Sequence, residues 1–216
     1  MLRLALRSTL AAVCLISCRE PAEPDLSIAA AREQADGSEV TVKGHVSVAP
    51  GTFTSATFEH GFAIADGGAG IYVKMDEAAT LALGDRVEVT GVLGQMAKMR
   101  VVTAEPAGVA ALGEAMAVAP EAVATADVDE EVEGRLVKVT GAVTQGFVDD
   151  SPYGYKLWVD DGSGQIQIFV HVSAGFDAAA LQAIVPGQTL AVTGLAFQYE
   201  DTYEVAPRSP ADLVVQ

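Results

Sequence analysis

The sequence predicts an all-β fold with a few short helices, built as two equivalent domains in tandem. Two features carry this expectation. The chain repeats its own text with a period of about one hundred residues, and within each copy the apolar residues alternate along short runs. The composition agrees: 21 Gly and 9 Pro in 216 residues, half of them hydrophobic, suit short strands joined by tight turns around a packed core.

Taken in order, the first eighteen residues, MLRLALRSTLAAVCLISC, carry Arg3 and Arg7, then an apolar run, then small residues. This is the layout of an export signal over 1–17. The run falls short of the about 20 apolar residues that span a bilayer. Leu15-Ile16-Ser17-Cys18 resembles the lipobox of bacterial lipoproteins. The resemblance implies that Cys18 is diacylated through its sulfur, becomes the mature N-terminus and ties the protein to a membrane. Cys14 would leave with the signal, so no disulfide is expected. Acyl chains contribute about 0.8 kcal/mol per buried methylene, enough in pairs or triplets for stable anchoring. Arg19 follows the cysteine where an Asp would resemble an inner-membrane retention signal, which favours the outer membrane of a bacterial envelope. Residues 18–26, rich in Pro and charge, read as a stiff tether.

The repeat then begins. EVTVKGHV at 39–46 recurs as LVKVTGAV at 136–143, GFAIADGGAGIYVKM at 61–75 as YKLWVDDGSGQIQIFV at 155–170, and GDRVEVTGVL at 84–93 as GQTLAVTGLA at 187–196. The offsets differ by only a few residues, as insertions in connections would make them. The expected domains are 27–113 and 121–216, joined at 114–120. In the first copy Val40, Val42, Gly44 and Val46 share one face, as do Phe62 and Ile64, and then Ile71, Val73 and Met75. DEAATLAL at 76–83 and DAAALQAI at 177–184 each open with Asp at an N-cap and continue with helix formers, so each copy is expected to hold one short helix there. The closing strands are 86–93 and 98–103, matched by 189–196 and 202–206. Three strands, a short helix and two strands form a five-stranded OB-type barrel, whereas a sandwich would need about seven strands.

LSIAAAREQADGSEVTVKGHV with GFAIADGGAGIYV, and EGRLVKVTGAV with VDDGSGQIQIFV and VPGQTLAVTGL, resemble the OB-fold modules that accompany secreted bacterial nucleases and lamin-tail surface proteins. The resemblance covers nearly all of the chain after the signal. It implies the fold but no particular ligand.

ADGGAG and DDGSGQ fall between the second and third strands of the two copies, where a hairpin needs residues that tolerate positive φ. They read as turns. A phosphate loop would need Lys-Ser/Thr after the glycines, and a calcium loop would need spaced oxygen ligands and a distant Glu. His45, His60 and His171 are scattered, with no zinc spacing, and the acids at 129–131 and 149–150 have no opposing partner. No metal, cofactor or catalytic residue is expected, and the chain reads as a non-enzyme.

A binding module is the remaining class. In the second copy Leu157, Val159, Ile166, Ile168 and Val170 point inward, leaving Lys156, Trp158, Gln167, Phe169 and His171 outward on strands two and three, where OB barrels meet ligands. In the first copy Ala63, Tyr72 and Lys74 take that face, and Lys43, Lys98 and Arg100 could add a basic stripe. Formal net charge is -16, which opposes non-specific attraction to polyanions. Residues 27–113 carry six Lys and Arg against ten Asp and Glu, and residues 121–216 carry four against fifteen. The expected role is a lipid-anchored envelope protein with a protein- or glycan-contact surface. Capture of single-stranded nucleic acid outside the cell is the alternative, motivated by outward aromatics that could stack bases.

Overall fold

The computed structural model describes residues 26–54 and 58–216. The signal segment and Cys18 lie outside the described residues, as does the tether up to residue 25. No helix among the described residues is long and apolar enough to cross a membrane.

The first copy forms β1 (Glu39–Val48), β2 (Phe62–Asp66), β3 (Ala69–Lys74), β4 (Arg86–Met96) and β5 (Met99–Thr103). β1 pairs with β2 and β4, β2 with β3, β3 with β5 in parallel, and β5 with β4, which closes a ring of five strands. A short β6 (Val109–Ala111) adds to β4. The second copy, after a two-residue β7 (Glu121–Ala122), repeats the ring with β8 (Leu136–Asp150), β9 (Gly154–Asp160), β10 (Gln165–His171), β11 (Thr189–Tyr199) and β12 (Thr202–Ala206). β13 (Leu213–Val215) is the counterpart of β6. The fold is therefore two tandem OB-type barrels, with alternating inward residues such as Val40, Val42, Ile71 and Val73 in one core and Leu157, Val159, Ile166 and Ile168 in the other.

Two local features differ from the sequence expectation. The helix expected over 76–83 does not form. That stretch runs as turns and extended chain, with Ala79 and Leu81 packed on the first core and the Ala82 N–H donating to the Asp85 side chain at 2.8 Å. A segment this short gains little from helix propensity, so tertiary packing decides its shape. Its counterpart does fold: α2 (Ala178–Gln182) starts at Asp177, whose side chain accepts from the Ala179 N–H at 2.9 Å. The other difference is α1 (Ile28–Arg32), which is capped by Ser27 and sets Ile28 and Ala31 into the first barrel.

The glycine turn resolves into two jobs. Gly67 and Gly68, at φ of 58° and 79°, make the two-residue hairpin between β2 and β3. Gly70 does something else. A Cβ built there would lie 1.9 Å from the carbonyl oxygen of Gly134, so the two barrels meet backbone to backbone at this point.

Around that point the barrels share an apolar seam. Val48, Phe53, Ala63, Tyr72, Met99 and Val101 of the first barrel bury against Leu195, Phe197 and Ala206 of the second. The β4–β5 and β11–β12 hairpin tips also pair: the Glu200 N–H donates to the Ala97 carbonyl at 2.8 Å, and Lys98 bonds Asp201. Ala97 and Lys98 hold φ of 48° and 73°, a turn that glycine and asparagine enter more readily. Relieving one such residue recovers about 1 kcal/mol. Ala97→Gly is therefore expected to raise unfolding stability by about that amount in a urea titration at unchanged slope.

Candidate functional site

The outward faces of the two barrels have different fates. In the first barrel the face of β2, β3 and β5 is consumed by the seam. Tyr72 is 1% exposed, and its hydroxyl donates to Glu59 at 2.7 Å beneath the second barrel. Tyr72 thus faces protein rather than solvent, because the alternation that turned it out of its own core turned it into the neighbouring barrel.

The first-barrel cations do not form an open stripe. Lys43 pairs with Glu88 at 3.2 Å across β1 and β4, and Lys74 stays half-buried at the end of β3. Lys98 and Arg100 belong to the inter-barrel contact. The Arg100 backbone N–H donates to Glu133 at 2.9 Å, and its side chain bonds Asp36 and the carbonyls of Arg32 and Gln34. Arg32 reaches the same Glu133 at 3.0 Å, next to a polar recess of about 460 Å³. Burial pushes the Glu133 carboxyl above the ordinary range, against the pull of these donors.

The second barrel keeps part of its face open. A cleft of about 570 Å³ lies where β9, β10 and β12 meet the β4–β5 hairpin of the first barrel. It brings together Lys156, Gln167 and Phe169, three of the residues expected from sequence. Lys156 pairs with Asp150 at 2.9 Å and places its ammonium 5.8 Å from the centre of the Phe169 ring. Trp158 is a direct cross-strand partner of Gln167 but does not line the cleft; it stays half-buried on the outer sheet.

Sequence reading missed two parts of this cleft. The first is Glu204, which the parallel β10–β12 register sets beside Gln167. Gln167 donates to its carboxylate at 2.6 Å, yet the side chain is almost wholly buried. Burial pushes its pKa up to about 8, with Gln167 and Lys156 pulling the other way and Asp150 adding to the rise. The only sequence signal is an acid one position before an inward valine in TYEVA. The second is the set of exposed rings at the rim, Tyr153 on the β8–β9 turn and Tyr199 at the end of β11. Phe58 joins Tyr153 edge to face at 5.7 Å.

Behind the cleft wall sits His171, fully buried between Phe53, stacked at 4.4 Å, and the edges of Phe169 and Phe197. Among the described residues neither ring nitrogen has a hydrogen-bond partner. Burial lowers its pKa to about 3, so the imidazole is neutral.

The second glycine turn is self-contained. Asp161 accepts from the N–H and hydroxyl of both Thr125 and Ser163, at 2.5 to 3.1 Å, which holds its carboxyl well below the usual range. Its oxygens fasten a loop. Among the described residues no group of three or more His, Cys, Asp or Glu is placed to hold a metal ion.

No family model and no curated protein matches the sequence. Solved structures with a similar trace include the p204 HINb domain, at 12% identity over 85% of this chain and 99% of that one, with a TM-score of 0.41. A murine DNA binding protein bound with ds DNA is 11% identical over 82% and 94%, with a TM-score of 0.43. The S. pombe Stn1-ten1 complex contributes a chain 18% identical over 38% of this one, with a TM-score of 0.33; the match spans 57% of that chain. At these identities and scores the likenesses carry no weight for ligand or role.

Proposed function

We propose that the chain is a non-enzymatic binding module of a bacterial envelope, held to the membrane by lipid on Cys18, with the inter-barrel cleft as its contact site. One observation carries the reading. The cleft joins aromatic rings, an amide, an amine and two carboxylates in one concave space fed by both barrels, the composition of a site that orients a ligand by a few polar groups. Two tandem barrels docked through an apolar seam suit a scaffold that presents such a site at the end of a tether.

The charge favours glycan or protein over nucleic acid. Lys156 is the one cation among the described lining residues and is already matched by Asp150. Phosphate binding draws its affinity from several unmatched Lys and Arg. Trp158, beside Gln167 on the adjacent strand, reports on the site through its fluorescence. Titrating the full chain in detergent with oligosaccharides released from bacterial envelopes is expected to give a saturable change, insensitive to salt and weakened about ten-fold or more by Tyr153→Ala. Quenching by single-stranded DNA that fades with salt would support nucleic-acid capture in its place.

A further inference from the structure

Resting on that reading, we propose that the cleft takes a neutral, hydroxyl-rich sugar ring, with Tyr153 and Tyr199 as stacking faces and the Glu204–Gln167 and Asp150–Lys156 pairs as its hydroxyl partners. The class follows from how the polar groups are already matched. The polar groups of the floor are already paired: Lys156 forms an ion pair with Asp150 at 2.9 Å, and Gln167 donates to the Glu204 carboxyl at 2.6 Å. An anionic sugar would meet the Asp150 carboxylate with no unmatched cation, and a cationic one would have to displace the Lys156 ammonium poised over Phe169. A neutral polyol avoids both costs. It can use hydrogen-bonding capacity left over after pairing, such as the other ammonium protons of Lys156, the amide oxygen of Gln167 and the remaining oxygen of Asp150.

The rings complete the chemistry. Tyr153 and Tyr199 are 42% and 58% exposed, so their faces are accessible at the mouth, while Phe169 and Phe197 are buried behind them. Aromatic faces exposed beside the polar groups of the floor suit a ligand with one apolar and one polar side, as a pyranose has. The volume, about 570 Å³, lies in the range of small-molecule sites. Burial that favours the protonated Glu204 adds a donor where an ionised acid would offer acceptors alone.

Calorimetry on the full chain tests this with three neutral hexamers, of glucose, mannose and N-acetylglucosamine, beside a galacturonate and a glucosamine hexamer. The expected result is that at least one neutral hexamer binds ten-fold or more tighter than both charged ones. Tyr153→Ala and Tyr199→Ala should each weaken that binding at least five-fold, with the unfolding midpoint unchanged, and Lys74→Ala, outside the lining of the cleft, should leave it intact. Tighter binding of a charged hexamer that Tyr153→Ala removes would overturn the neutral class while leaving the cleft as the binding site. Heats absent for all five, or indifferent to both tyrosines, would overturn the sugar and the cleft together.

Discussion

Replacing Gly70 by valine is expected to pull the two barrels apart. A Cβ at Gly70 would sit 1.9 Å from the Gly134 carbonyl oxygen and 2.4 Å from its carbon, both backbone atoms that cannot swing away. Gly134 itself holds φ of 79°, and its own Cβ would press on the Gly70 carbonyl at 2.6 Å. Overpacking of this kind costs about 3 kcal/mol or more when no side chain can yield. The cheapest relief is to open the seam while each barrel keeps its own core. Scanning calorimetry is therefore expected to show one transition for the wild type and two for Gly70→Val, with the cleft ligand lost. A single transition at an unchanged midpoint would mean that the barrels do not meet at this glycine.

The second large effect is on pH. His171 has a folded pKa near 3 against an unfolded value of 6.5, so the unfolded chain takes a proton first. Its contribution is intact above pH 6.5 and is lost as pH falls from 6.5 toward 3, by on the order of 5 kcal/mol over the window. Glu204 runs the other way. Its folded pKa near 8 lies above the unfolded 4.5, so its contribution is intact below pH 4.5 and is lost as pH rises toward 8, by a similar amount. Between pH 4.5 and 6.5 the two slopes cancel, giving a flat top with an acid limb from His171 and an alkaline limb from Glu204. His171→Phe, which also removes two unpartnered nitrogens, should flatten the acid limb and raise stability at pH 7 by about 1 kcal/mol. Glu204→Gln should flatten the alkaline limb instead. Denaturant titrations from pH 3 to 9 check both; an acid limb unchanged by His171→Phe would remove the histidine from the account.

The strands were legible because each barrel face leaves a period-two trace, as in Val40-Val42 and Leu157-Val159, and because Gly67-Gly68 can only be a tight turn in that setting. The helix at 76–83 was not, since its residues match those of α2 in kind and differ only in what they pack against. The site was half legible. Alternation says that Tyr72, Phe169 and His171 leave their own core, but not that the other barrel covers Tyr72 and His171 or that Phe169 ends at the edge of the cleft. Lys98 and Arg100 read as surface cations because their partners are remote in sequence: Asp201 for Lys98, and Asp36 with the carbonyls of Arg32 and Gln34 for the Arg100 side chain. Glu204 was hidden because its meaning depends on the parallel β10–β12 register, which no local pattern encodes.

The most direct measurement is an amide chemical-shift map of the labelled chain, titrated with the tightest-binding neutral hexamer. Shifts are expected to cluster at Tyr153, Lys156, Gln167, Phe169, Tyr199 and Glu204, with a weaker echo at Ala97 across the cleft. Shifts confined to Lys43, Lys74 or the open face of β8, with the cleft silent, would contradict this expectation.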